Sequence, residues 1–365
     1  MAVGLPMKTT YANGDVLSAS DVNDITGTVN LIGQTNNFYA GKNKIINGDF
    51  RFNQRAFTSN TASGIYNFDR FLQFNGGTTG TLTTTPQVFT AGTAPVSGYE
   101  ATNFVQCITA AGSSTDTNAL LVQKIEDVRT LAGQTATISF WAKTTSGTPK
   151  MAVELEQNFG TGGSPSATVQ TPVGAVTIST SWARYSVSIT VPSLSGKTVG
   201  TTANTSYLAI NIWLSAGSTY ATRASSIGLQ NATFQIWGVQ VESGSTATAF
   251  TTATGSIATE LVACQRYFYR WNSGELGTAA YYSAAGLFPS LNFPVEMRTA
   301  PTSATISSAS AITVYVNGVG RATTALAYNT ASTRTLGLSL TTSAATAGQA
   351  GQMTLSGTID ASAEL

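Results

Sequence analysis

At 365 residues the chain is long enough for two or three domains, each with its own core. Charged residues make up only 10% and the formal net charge is +1, so no basic stripe exists to neutralise phosphates and nucleic acid is not expected as a partner. The absence of histidine excludes a Ser-His-Asp triad, a Cys-His pair and a His-ligated metal. The shortfall of charge is filled by Thr, Ser, Gly, Asn and Ala; short uncharged side chains with β-branched Thr and Val suit half-exposed β-sheet, while charged helix formers are scarce. Disorder would share the Ser, Thr and Gly richness, but not 5 Trp, 13 Tyr and 16 Phe. An all-β protein is expected. Cys107 and Cys264 are far apart and each sits in an apolar run, which predicts two buried free thiols, with Cys264 opening a strand-like segment. No charged region precedes an apolar run at the start, so no signal peptide is expected. No apolar run reaches the ~18 residues that span a bilayer, so no membrane insertion is expected either.

In chain order, residues 1–42 form a leader. Ser18 or Ser20 can cap a short helix whose early acids, Asp21 and Asp24, suit the positive end of its dipole. Val22, Ile25, Val29 and Ile32 come next at heptad-like spacing, an apolar seam for self-association or for docking on the next domain.

Residues 43–250 carry strand patterns punctuated by Gly, Pro and Ser-Gly. The clearest are Ala136–Lys143, Lys150–Gln157, Ser181–Val191, Ser206–Ser215 and Ala232–Glu242. Short strands without a helical period between them predict a β-sandwich or jelly roll. Residues 251–365 open with a connecting segment and continue as a small β-domain, sandwich-like in pattern. Within it, Asn317-Gly318 closes a type I′ hairpin after Ile312–Val316. Thr335–Leu340 and Met353–Ile359 are further strands, and the chain closes on Ala363, Glu364 and Leu365.

Alternation assigns faces. Ile138, Phe140 and Ala142 point one way, and Ser139, Trp141 and Lys143 the other. Leu208, Ile210, Ile212 and Leu214 form an apolar face, leaving Tyr207, Asn211 and Trp213 opposite. A Trp on the polar side of a strand is either a platform for a sugar ring or is covered by a loop, a second sheet or another subunit. The glycan-binding candidates are therefore Trp141, Trp213, Tyr207, Asn211 and Lys143. Trp237 alternates with Val239 and Val241 and reads as core, while Trp182 fits either side. Glu154 and Glu156 share a strand face about 7 Å apart, a spacing open to an inverting hydrolase but equally produced by any solvated strand. No other feature points to catalysis, and the chain reads as a binding or structural protein, not an enzyme. Arg266 and Arg270, interleaved with Tyr267, Tyr269 and Trp271, fit stacking at a domain or subunit junction.

Several phrases resemble a known family. INGDF (Ile46–Phe50), YNFDRF (Tyr66–Phe71), SFWAK (Ser139–Lys143), SWARYSVSITVP (Ser181–Pro192) and IWGVQVESGSTATAF (Ile236–Phe250) keep the order found in carbohydrate-binding-module-like jelly rolls of phage fibres and tail-associated proteins. ELVACQRYFYRW (Glu260–Trp271) and PVEMRTAPT (Pro294–Thr302) resemble the segments C-terminal to that module, and YANGDVLSASDVN (Tyr11–Asn23) resembles a phage fibre leader. The resemblance implies a virion fibre, most simply a tail fibre, attached to the particle and its other proteins by the N-terminus. It further implies a homotrimer and β-domains that hold host-surface polysaccharide. A head-fibre or capsid-decoration protein with a purely structural role is the alternative, and a glycan-degrading enzyme is a third reading. Such jelly rolls often hold a structural calcium, to which Asp49 and Glu242 could contribute; plain turn and cap hydrogen bonding explains Asp49 equally. No other cofactor is implied.

Overall fold

The computed structural model describes residues 41–343 and 345–365. The expected leader helix and its seam of Val22, Ile25, Val29 and Ile32 lie outside the described residues.

Eleven strands build the first unit. They are β1 (Ile65–Tyr66), β2 (Leu72–Gly76), β3 (Thr81–Val88), β4 (Asn103–Ala110), β5 (Asn118–Glu126) and β6 (Thr135–Thr144), then β7 (Lys150–Asn158), β8 (Val169–Thr177), β9 (Ala183–Thr190), β10 (Tyr207–Ala216) and β11 (Ala232–Ser243). They form a six-stranded sheet, β1-β2-β5-β10-β7-β8, and a five-stranded sheet, β3-β4-β11-β6-β9. Neighbouring strands are antiparallel, and the chain passes repeatedly from one sheet to the other, as in a jelly-roll sandwich. The core lies between the sheets. Leu208, Ile210, Ile212 and Leu214 of β10 and Met151, Val153 and Leu155 of β7 meet Ile138, Phe140 and Ala142 of β6 and Phe234, Ile236, Val239 and Val241 of β11. The five strands read most clearly from alternation are β6, β7, β9, β10 and β11, within a residue or two at each end.

Trp237 is core, as expected, but on the opposite side of the sheet from Val239 and Val241. The pairing of β11 with β6 shifts between Trp237 and Gln240, where Gly238 takes a φ of 64°. This bulge carries the inward phase from Ile236 to Val239 and turns Trp237 to the outer side. There it is fully buried, but in a separate cluster with Phe89, Phe104, Tyr99 and Phe250. A Cβ at Gly238 would lie 3.1 Å from the Trp141 indole, so the bulge and the indole beside it both call for glycine.

The second unit begins with helix α1 (Ile257–Gln265), where a connecting segment was expected. Ser256 caps it by accepting the Thr259 N–H at 3.3 Å. Cys264 closes the last helical turn and does not open a strand; both cysteines are buried free thiols. Then come β12 (Phe268–Trp271), β13 (Gly274–Ala280), β14 (Gly286–Leu287), β15 (Ser290–Asn292) and β16 (Ala304–Ile306), and after them β17 (Ile312–Val316), β18 (Val319–Ala331), β19 (Thr335–Thr342), β20 (Ala350–Leu355) and β21 (Ile359–Ser362). β12-β21-β16 form a small sheet, and β13-β20-β17-β18-β19-β14, with β15 also on β19, form a larger one around a second core. The hairpin at Asn317-Gly318 has φ of 50° and 77°, the two left-handed residues of a type I′ turn.

The units are joined by charge. Arg70, only 1% exposed, lies 3.4 Å from the centre of the Tyr267 ring, pairs with Glu364 and donates to the Lys124 carbonyl. Arg55 bridges Asp69 at 3.2 Å and Glu364 at 3.0 Å, with its guanidinium 3.8 Å from the Phe268 ring centre. Arg298 donates to the carbonyls of Ala363 at 2.7 Å and Glu364 at 3.0 Å. On the helix side, Glu260 accepts the Asn47 N–H at 2.7 Å. Arg270, held within its own unit by two bonds of 2.6 Å to Asp360, donates across the junction to the Arg55 carbonyl at 2.7 Å, and Arg266 meets Glu126 across it at 3.2 Å.

The junction sets stability in two measurable ways. Glu364→Ala leaves Arg70 buried without its anion, so urea unfolding should show a loss of about 3–5 kcal/mol, with Glu364→Gln intermediate. Burial pushes the Asp69 carboxyl up to about 6, although Arg55 and Gln54 favour its charged form. The folded chain therefore binds this proton more tightly than the unfolded chain. Its contribution to stability is full below about pH 4 and is lost as the pH rises through 6. Denaturation series at pH 4, 5, 6 and 7 should show wild type falling relative to Asp69→Asn over that window, and parallel curves would contradict it.

Candidate functional site

The structure divides the five glycan-binding candidates between two faces that point away from each other. Tyr207, Asn211 and Trp213 lie on the outer side of the six-stranded sheet, and Trp141 and Lys143 on the outer side of the five-stranded sheet.

The six-stranded face is closed around Trp213. Beyond β10, the chain turns through a 3-10 segment, Ser218–Tyr220, and places Tyr220 and Arg223 against the indole. Trp213 is 1% exposed, and its Nε1–H donates to Glu154 at 3.1 Å. The same carboxylate accepts from Asn211 at 2.9 Å and from Arg223 at 2.7 and 3.0 Å. Glu154 is thus a fully buried carboxylate with its charge balanced and its lone pairs engaged. Glu156 receives the Tyr207 hydroxyl at 3.3 Å and the Gln170 amide at 3.2 Å, and Arg223 lies 3.6 Å away. Burial and the nearby Glu156 charge push the Tyr207 phenol up to about 12. The pair considered for glycan cleavage is therefore a structural hub. Neither carboxylate is placed as a free acid or base, and the expectation of a solvated strand face fails as well, because a loop covers it.

The five-stranded face is open in part. In the pairing register, Trp141 stands between Trp237 of β11 and Arg184 of β9, and Lys143 lies beside Gln235. Trp182, just before β9, reaches across the face to Phe89 and Phe104, with ring centres 5.5 Å from each. The Lys143 ammonium sits 5.5 Å from the Trp182 ring. Trp141 and Trp182 remain half-buried, while Phe89, Phe104 and Trp237 beneath them are buried. Polar groups border the rings. Gln235 donates to Gln106 at 2.9 Å, and Arg184 donates to Ser139 at 3.1 Å and to the Thr248 carbonyl. Two supported indoles with amide, ammonium and guanidinium neighbours can pack the CH face of a sugar while meeting its hydroxyls. Trp182 belongs to this site; its SW position at the start of a strand left its face undecided in the sequence.

The calcium candidates do not fit a cation. Glu242 accepts from Gln240 at 2.8 Å and from the Thr248 N–H and hydroxyl at 2.8 and 2.6 Å, and the Lys42 ammonium lies 3.5 Å away. Asp49 accepts from the Tyr99 hydroxyl at 3.1 Å and from Arg51 at 3.3 Å. Donors face both oxygens of Glu242 and one of Asp49, and no oxygen cage surrounds either carboxylate. Among the described residues no cluster of three or more acidic or cysteine ligands occurs.

No family model and no curated protein matches the chain. Solved structures resemble it weakly. A tailspike protein 4 enzymatically active domain of bacteriophage CBA120 superposes with a TM-score of 0.30 at 13% identity, covering 56% of this chain and 22% of that one. A structure described as CBM4 gives 0.30 at 16% identity, covering 54% and 98%. A family 11 carbohydrate-binding module from Clostridium thermocellum, in complex with a β-1,3-1,4-mixed-linked tetrasaccharide, gives 0.29 at 10% identity, covering 53% and 99%. The likeness to these carbohydrate-binding modules and this tailspike domain is of low identity and low TM-score.

Proposed function

We propose that the chain is a tailed-phage virion fibre protein that holds host-surface glycans on the outer face of its five-stranded sheet. The observation that carries the binding part is the half-buried pair Trp141 and Trp182 beside Lys143, backed by buried aromatics and edged by Gln235 and Arg184. The phage assignment is supported by the ordered phrases from INGDF to the ATAF that ends at Phe250 and by the leader phrase. In this reading residues 1–42 attach to the particle, tail or head, and their seam joins three chains. Weak sites repeated on one fibre then raise avidity by ~10²–10⁴. A purely structural head-fibre or decoration role has one observation in its favour. Tyr282 and Phe288 stack with ring centres 4.5 Å apart while 61% and 54% exposed, apolar surface that a neighbouring subunit would cover.

The two Trp environments give the test. The double variant Trp141→Ala, Trp182→Ala should fold and lose host-cell retention at least tenfold, whereas Trp213→Ala should cost about 3–5 kcal/mol in stability. Unchanged retention in the folded double variant would sink the glycan reading in favour of the structural one. Sedimentation of the full chain should give three times the monomer mass, and Ile25→Asp with Val29→Asp should return it to monomer.

A further inference from the structure

At the rim of the sandwich, where the aromatic cluster of the five-stranded sheet meets the first turn of α1, lies a cleft of about 380 Å³. We propose that this cleft is a second saccharide subsite that takes a neutral or amine-bearing sugar residue in preference to an acidic one; it rests on the glycan-binding reading above.

Two walls are aromatic. Tyr99 and Phe250 meet nearly at right angles, 86° with ring centres 5.5 Å apart, and both rest on the buried Trp237 at 5.5 and 4.9 Å. Their half-exposed rings offer apolar surface for the CH groups of a pyranose. Trp237 ties the cleft to the Trp141 and Trp182 face, since all belong to one cluster.

The polar groups complement the rings. Arg51 and Tyr99, both lining the cleft, bind the same oxygen of Asp49, whose other oxygen is buried with no hydrogen-bond partner. The Trp237 Nε1–H and the hydroxyl of Thr251, itself a wall residue, are also buried without partners. Few such unmatched groups occur in a native domain. The wall itself carries the Arg51 guanidinium and the hydroxyls of Tyr99, Thr251, Thr252 and Ser256, polar partners for the hydroxyls of a sugar.

Charge sets the preference. Among the described residues Arg51 is the one cationic side chain of the lining and is paired with Asp49 at 3.3 Å, while the exposed Glu100, which accepts the Gly92 N–H at 2.7 Å, is the one carboxylate of the lining. A uronate or other acidic sugar meets net repulsion, whereas a hydroxyl or an ammonium finds acceptors.

The test is a glycan array carrying neutral, amino and uronate-containing oligosaccharides, probed with the full chain. Wild type should retain neutral or amino glycans over uronates. Tyr99→Ala should weaken that retention at least tenfold, and Glu100→Lys should shift it toward uronates. If Tyr99→Ala does not fold by circular dichroism, Glu100→Lys at an exposed position decides alone. Glycans retained by wild type and lost in the Trp141→Ala, Trp182→Ala variant, with Glu100→Lys and a folded Tyr99→Ala unchanged in strength and preference, would overturn the cleft alone. No retained glycan at all would overturn the cleft and the glycan reading together.

Discussion

A guanidinium taken out of water costs several kcal/mol unless charge and hydrogen bonds surround it. Arg70 meets most of that demand, all but its Nε–H, by drawing on three distant parts of the chain: the Tyr267 ring, the Glu364 carboxylate and the Lys124 carbonyl. The neighbours of those groups are drawn in as well. Arg55 closes a second bridge from Asp69 to Glu364, and Arg298 fixes the backbone on which Glu364 sits. The sandwich and the terminal β-domain each have their own apolar core, but neither satisfies this charge alone. Completion of the first unit therefore depends on the second.

The outer faces of the sandwich show two treatments of the same problem. Both present a tryptophan where alternation calls for a polar residue. On the six-stranded side the segment after β10 folds back, and one carboxylate, Glu154, takes the indole N–H, an amide and a guanidinium. Around Trp213 that face is sealed, and the polar atoms there are engaged with one another. On the five-stranded side the cover is itself aromatic and incomplete, so Trp141 and Trp182 keep accessible ring surface over a stiff support. Recognition by stacking needs that combination of exposure and rigidity, because a mobile ring would lose side-chain entropy on binding.

Much of the fold was legible from period-two alternation. The inward rows of β6 and β10 lie where Ile138, Phe140, Leu208, Ile210 and Ile212 indicate. Trp237 is core, as its pattern indicates, but its face was not legible, because a bulge at a left-handed glycine changes phase without changing the apolar pattern. Helix α1 escaped because it is short and its apolar residues are spread around it, with Ile257 and Val262 exposed. The faces of Trp213 and Asn211 were read correctly, but their cover comes from folding beyond the strand and leaves no local mark. The phrases INGDF and NFDRF stood out as signatures, yet their physical work is long-range. Asn47 meets Glu260 213 residues away, and Arg70 meets Glu364 294 residues away. Gly48 is needed because a Cβ there would lie 2.1 Å from the Val239 carbonyl oxygen. None of these partners is visible from spacing.

The terminal β-domain leaves the sandwich through residues 251–256 and returns to it through Glu364 and Leu365, where the Leu365 oxygen receives Tyr66 and Lys124. The connection is thus a closed loop of chain, anchored at both of its ends on the same rim. A pull on the tip is shared by two anchors in parallel, one hydrogen-bonded through Asn47 and Glu260 and one ionic through Arg70 and Arg55. Parallel anchors must yield together before the domain swings free, so its bearing should hold under a drag that would peel a singly hinged domain away.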